Sequence, residues 1–215
     1  LLARAGVPVL VHGFAEDPAR VTSAQVFAAL GWPVARTAAQ AEAAWAQGLP
    51  VFMALDDLHP TLAGLLRLRQ VLGLRNPGHT LAKLLPAVPG ALRVVNHTHP
   101  EYSISLAQFL ALSGAHALLL RGTEGEPVAD ARRLPALRAF VAGQQRPELS
   151  AEAQGGSLLS VPELPSAIDA ESTAGVIRAM LDGSMPVPAP IATQLQTLLA
   201  LRLALPEPFS APAPA

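Results

Sequence analysis

Short apolar runs alternate with longer stretches of helical spacing along most of this chain, and no other feature constrains the fold as much. The runs are Val7-Pro8-Val9-Leu10-Val11, Val51-Phe52-Met53-Ala54-Leu55, Leu92 to Asn96 and His116 to Arg121. Brief β-branched and aliphatic blocks of this kind suit strands covered on both faces. The helices between them have readable ends. Thr22 or Ser23 can cap a helix through Val26, Phe27 and Leu30 that closes at Gly31, and Ala38 to Gln47 stops at Gly48. His59-Pro60 opens a helix with proline in its first turn, and Leu62, Leu65, Leu66 and Leu72 keep helical spacing to Gly73. After the Asn76-Pro77-Gly78 turn come helices at Thr80 to Leu85, Glu101 to Leu112, Glu171 to Leu181 and Ile191 to Leu205.

Strands separated by helices make βαβ units. The predicted fold class is therefore α/β: a mostly parallel sheet flanked by helices, with strands at Val7–Val11, Val51–Leu55, Leu92–Asn96 and Ala117–Arg121. A chain of 215 residues can hold this as one domain over 1–205, followed by a Pro/Ala-rich tail at 206–215 that is expected to be disordered.

Composition narrows the setting. Half the residues are apolar and 14% are charged, yet no stretch approaches the roughly 20 uninterrupted apolar residues of a membrane span. There is no cysteine, hence no disulfide framework or thiolate site, and Leu1-Leu2-Ala3-Arg4-Ala5-Gly6 does not read as a signal peptide. A cytoplasmic protein without membrane partners is the expectation. Charge is unevenly spread. From Leu58 to Pro100 there is no Asp or Glu, while Arg67, Arg69, Arg75, Lys83 and Arg93 fall inside, with His59, His79, His97 and His99. The segment carries +5 in a chain of net charge −1, so everything outside it sums to −6. Either arginines have clustered on a surface by chance, or the segment is an anion site for phosphates of a ligand or of nucleic acid.

Several motifs in this order resemble a known family. Gly73-Leu74-Arg75-Asn76-Pro77-Gly78-His79-Thr80-Leu81-Ala82-Lys83-Leu84-Leu85 is similar to the stretch after the acceptor-side helix of anthranilate phosphoribosyltransferases (glycosyl transferase family 3). His59-Pro60 followed by Arg69 and Leu72-Gly73 resembles that family's helix with an arginine facing the acceptor, and His12-Gly13 resembles part of its Lys-His-Gly-Asn-Arg-Ser signature. His99-Pro100-Glu101-Tyr102 and Leu118 to Glu126 match the YbiB-type branch better than the enzymes. The resemblance covers roughly residues 1 to 205. It implies a phosphoribosyltransferase-like catalytic-domain fold, a homodimer in the full-length protein, and ligand-cleft positions at His12, Gly13, His59, Arg69, Asn76 and Thr80. It also implies a helical N-terminal domain and a first glycine-rich phosphate loop upstream of Leu1, so the chain is expected to be truncated.

The departures point away from the enzyme. The signature lysine, asparagine and arginine are gone, because the stretch reads Val11-His12-Gly13-Phe14-Ala15-Glu16 here. Where the enzymes carry an adjacent Asp-Glu pair for the Mg²⁺ of phosphoribosyl pyrophosphate, this chain has Pro127 and Val128. Glu124, Glu126 and Asp130 flank them, either as substitutes or as solvated loop acids. His97 and His99 could pair on a metal, but no third ligand is visible nearby, so no metal site is assigned. Ser103 and Ser113 lack a nucleophile-elbow setting, His116 reads as a satisfied histidine, and Gly155-Gly156 reads as a loop.

Three functions stay open. The YbiB-type branch is associated with sequence-independent DNA and RNA binding, for which Arg67, Arg69, Arg75 and Lys83 would supply phosphate contacts and Arg132, Arg133 and Arg138 are the next candidates. With one Tyr, two Trp and six Phe, base stacking is a poor basis for recognition. The alternative is a phosphoribosyltransferase for an unidentified aromatic or nitrogenous acceptor; only then would Mg²⁺ and phosphoribosyl pyrophosphate enter, and no cofactor is otherwise expected. The third is a folded remnant that binds nothing specific. No catalytic residue is assigned.

Overall fold

A computed structural model describes residues 1–18, 20–123, 126–156, 165 and 167–205. The tail at 206–215 and Glu124 lie outside the described residues. Two compact units form, one built on Leu1–Leu85 and a late helix, the other on the chain from Pro86 and the last described helix.

In the first unit β1 (Leu10–Gly13), β2 (Val34–Ala35) and β3 (Val51–Ala54) form a wholly parallel sheet in the order β1-β3-β2. Every residue of β3 is buried, and the period-2 alternation of a strand divides them between two helical layers. Val51 and Met53 pack with Ala35, Ala41 and Ala44, the last two from α2 (Ala38–Ala46). Phe52 and Ala54 pack with Ala24 and Phe27 of α1 (Ser23–Leu30). Thr22 closes α1 with a full capping box to Gln25, and Gly31 ends it at φ 70°, a left-handed conformation that glycine adopts without a Cβ penalty.

Beyond β3 the chain turns at once into the single turn α3 (Leu55–Leu58), then α4 (Pro60–Leu72) and α5 (Gly78–Leu84). Leu55, Leu62, Ala63 and Leu66 form the core under these helices, with Phe14, Ala82 and Leu85 at its edge. The first unit is completed by α7 (Ala170–Asp182), which packs on α1 and whose Arg178 donates to the Ala29 carbonyl.

In the second unit β4 (Arg93–His97) pairs in parallel with β5 (Ala117–Arg121), and α6 (Tyr102–Leu112) connects them. The run Ala117 to Leu120 is almost completely buried, as its uninterrupted apolar character requires. β6 (Leu137–Val141) and β7 (Gln144–Gln145) then add antiparallel, and α8 (Ala189–Ala204) packs on β6.

The α/β class and the parallel pairings agree with the sequence reading. The first strand is displaced: pairing starts at Leu10↔Val51 and runs to Gly13↔Ala54 rather than over 7–11. Pro8 has no N–H to donate to a ladder, and the Val9 carbonyl is shared by the Val51 amide and the Trp45 indole. β3 stops one residue short because Leu55 already belongs to α3, and β4 sits one residue later than expected. The expected single sheet is two hydrogen-bonded sheets, and the second turns antiparallel through β6 and β7. No helix of the described residues is long and apolar enough to cross a membrane.

Candidate anion-binding site

The acid-free segment does not lie within one unit. Arg67, Arg69, Arg75 and Lys83 belong to the first, while Arg93, His97 and His99 belong to the second.

Arg67 and Arg69 stand two apart on α4 and therefore face different neighbours. Arg67 is exposed, ion-paired with the Asp56 carboxylate of α3, and stacked over the Phe14 ring at 5.7 Å. Half-buried Arg69 occupies the last turn of α4. Arg75 is exposed just past the helix end, and Lys83 is half-buried in the last turn of α5.

A tightly tied turn organises this region. Asn76 donates its side-chain amide to the Leu65 carbonyl at 2.7 Å and accepts the Gly78 amide on its Oδ1 at 2.9 Å. Its backbone N–H reaches His79 Nδ1 at 3.3 Å. A Cβ on Gly78 would lie 2.8 Å from Asn76 Oδ1 and 2.9 Å from Leu66, so only glycine fits against α4 without displacing them. Burial holds the His79 imidazole below its ordinary value of 6.5; the Asn76 backbone hydrogen bond opposes this, and the guanidinium groups of Arg75, Arg69 and Arg20 reinforce it. Three guanidinium groups thus act on one imidazole. Arg20, paired with Asp17 at 3.2 Å, was invisible to a reading by charge segment, since it precedes Leu58 by many residues.

The remaining positions are individually placed. His12 sits half-buried in β1, and burial lowers its pKa. A Cβ on Gly13 would meet nothing within 4 Å, so the described protein imposes no packing demand for glycine there. His59 caps α4, its Nδ1 accepting from the Leu62 amide at 3.3 Å, and Thr80 is exposed on α5.

In the second unit a cleft of about 910 Å³ opens where β4 and β5 end, bringing Arg132, Arg133 and Arg138 together with Arg121. Arg121 was missed because its charge lies outside the acid-free segment, although its position at the carboxyl end of a parallel strand is a usable signal. Asp130 accepts both Nε and Nη2 of Arg132 at 2.9 Å, and that hydrogen bonding, foremost, holds its carboxyl below the usual range. Pro127 and Val128 supply no side-chain oxygen. Buried Gln194 of α8 instead grips this loop by its backbone, accepting from the Ala129 amide at 2.7 Å and donating to the Pro127 carbonyl at 2.9 Å. These residues do not fit a paired-carboxylate Mg²⁺ site. Among the described residues no three His, Cys, Asp or Glu side chains come together to hold a metal ion. His97 Nδ1 contacts the His99 carbonyl at 3.1 Å, and His116 accepts the Ala142 amide at 3.1 Å.

Comparison with known proteins agrees with this architecture. No family model matches the sequence. Over 201 residues, 93% of the chain, it is 38% identical to the uncharacterized protein YbiB of Escherichia coli K12. It is 26% identical over 84% of its length to an anthranilate phosphoribosyltransferase of Methanosphaerula palustris and 28% identical over 86% to one of Chlorobaculum parvum. The chain spans 62% of the length of YbiB and 53% and 54% of the two transferases. Homology to these proteins supports a phosphoribosyltransferase-like fold.

Proposed function

We propose that this phosphoribosyltransferase-like protein binds nucleic acid through backbone phosphates, without reading sequence, and has no anthranilate phosphoribosyltransferase activity. The observation that carries the reading is the placing of Arg69 in the last turn of α4 and of exposed Arg75 just beyond it, in a stretch without acidic residues and beside a turn fixed by Asn76 and Gly78. Guanidinium groups held on a helix end and a rigid turn can track phosphates from outside a strand, and each contact releases condensed counterions. Lys83 extends the same stretch and Arg67 contributes least, because Asp56 already neutralises it. The few aromatic side chains leave backbone contact as the physical basis of binding.

Titration of the full-length protein with labelled duplex and single strand at several salt concentrations tests this. Arg69→Ala with Arg75→Ala should lower the slope of log K against log salt by about two units, equally for unrelated sequences. Unchanged affinity and slope, in a variant with a normal melting temperature, would sink the assignment.

A second reading, a phosphoribosyltransferase for an unidentified acceptor, draws support from Gly13, whose small size no described neighbour requires, and from the two transferase relatives. Pro127 and Val128 weigh against it. Magnesium-dependent pyrophosphate release from phosphoribosyl pyrophosphate in the presence of an acceptor would establish it; with anthranilate as acceptor, it would also overturn the proposed loss of activity.

A further inference from the structure

We infer that the arginine-lined cleft of the second unit is a separate binding site for a small phosphate monoester with an apolar body. It shares no residue with the proposed nucleic-acid surface, so the two readings stand or fall independently.

The cleft lies at the carboxyl ends of parallel strands, where open α/β sheets place ligands. The final register pair of those strands is His97↔Arg121, and the next residue fixes the floor. A Cβ on Gly122 would lie 2.3 Å from both Asn96 Nδ2 and the Glu126 carbonyl oxygen, so only glycine fits here. Among the described residues, four guanidinium groups line the space against a single carboxylate, that of Asp130.

Three of the four arginines are anchored by the protein itself. Half-buried Arg138 projects from β6 and reaches the Ser103 hydroxyl with Nη1 at 3.3 Å and Gln145 Oε1 with Nη2 at 2.9 Å. Arg133 donates one Nη2 bond to the Gly156 carbonyl at 2.8 Å, and Arg132 is fixed on Asp130. Arg121 makes no side-chain hydrogen bond or ion pair among the described residues. An anchored guanidinium loses little freedom when a ligand arrives, and N–H groups of Arg133 and Arg138 not used in these bonds are already oriented.

The chemistry of the walls selects the ligand. A phosphate monoester presents three terminal oxygens and two charges to several guanidinium forks approaching from different elements, whereas a carboxylate presents two oxygens and one charge. Leu119, Leu134, Pro135 and Pro100 supply apolar wall for an organic body. A volume of about 910 Å³ falls within the range of small-molecule sites, roughly 300–1,000 Å³.

Calorimetric titration of the full-length protein with adenosine 5′-monophosphate, phenyl phosphate, inorganic phosphate and adenosine tests the inference. Both esters should bind, inorganic phosphate should bind at least about tenfold more weakly, and adenosine should not bind. Arg121→Ala with Arg133→Ala should weaken ester binding by about tenfold or more, and Arg121→Lys alone by less, since it keeps the charge and loses the fork. Arg69→Ala with Arg75→Ala should leave ester binding unchanged. The inference is overturned by failure of both esters to bind, by adenosine binding as well as its phosphate, or by inorganic phosphate matching the esters. Ester binding that follows Arg69 and Arg75 instead of Arg121 and Arg133 overturns it too. Arg121 is exposed, so its lysine variant keeps the test valid if the double variant melts early.

Discussion

The two cationic regions use arginine in opposite ways. In the first unit, Arg69 and Arg75 stand on a helix end and the turn beyond it, where the surrounding tethers belong to Asn76 and Gly78 rather than to the arginines. In the second, Arg132, Arg133 and Arg138 are themselves tied down, around a cleft. Lightly tethered guanidinium groups on a convex element suit a long polymer whose phosphates arrive in varied positions. Anchored ones around a concavity suit one anion in one position, because the ordering cost is met before binding.

The contrast is broken most forcefully at glycine. Gly122→Ala places a methyl group against the Glu126 backbone and should destabilise the second unit by about 1–3 kcal/mol, lowering the melting temperature by several degrees and abolishing ester binding. Gly13→Ala meets no neighbour and should stay within about 0.5 kcal/mol. Equal melting temperatures for the two variants would contradict the close approach at Gly122.

A smaller effect separates arginines within one helix. Arg67→Ala should change the salt slope for duplex binding by about half a unit or less, against about one unit for Arg69→Ala, because Asp56 already compensates Arg67. A larger change from Arg67 would mean that the ion pair opens on binding and that the outer face of α4 carries the contact.

The smallest expected effect is in pH. Burial depresses the His12 pKa from 6.5, so below that value the unfolded chain binds the proton more readily than the folded one. The contribution of His12 is fully present above the unfolded value and is lost as pH falls through the folded one. His12→Asn should therefore flatten the dependence of the denaturation midpoint between pH 7.5 and about 5.5. A slope identical to that of the parent protein would assign the acid sensitivity elsewhere.

Much of the fold was legible because local signals agreed with one another. Thr22, Gly31, His59 and Gly73 each mark a helix boundary in the structure as they do in the sequence. The hairpin β6–β7 escaped notice for a physical reason. Its turn places Ala142 at φ 49° and Gly143 at φ 77°, both left-handed, and alanine is a poor advertisement for a position normally held by Asn, Asp or Gly. The candidate anion site was legible as a run of charge but not as a place. Asp56 lies two residues outside the acid-free segment and neutralises one of its arginines, while Arg20 comes from elsewhere in the chain and Arg121 belongs to the separate cleft of the second unit. Asn76, expected as a ligand contact, has its side chain engaged with Leu65 and Gly78, bonds that sequence spacing does not reveal.

The grip of Gln194 on Pro127 and Ala129 spans 67 and 65 residues, and Arg178 of α7 reaches Ala29 across 149. Each unit is therefore sewn shut by a helix made long after its strands. On a ribosome, the sheets and the arginines would emerge well before the helices that hold their surroundings in place. The loop at 127–129 would wait, its amide and carbonyl facing water, until α8 cleared the exit tunnel. The second unit thus acquires this tether late in synthesis, and a nascent chain stalled before α8 would display the arginines of the cleft without that loop secured.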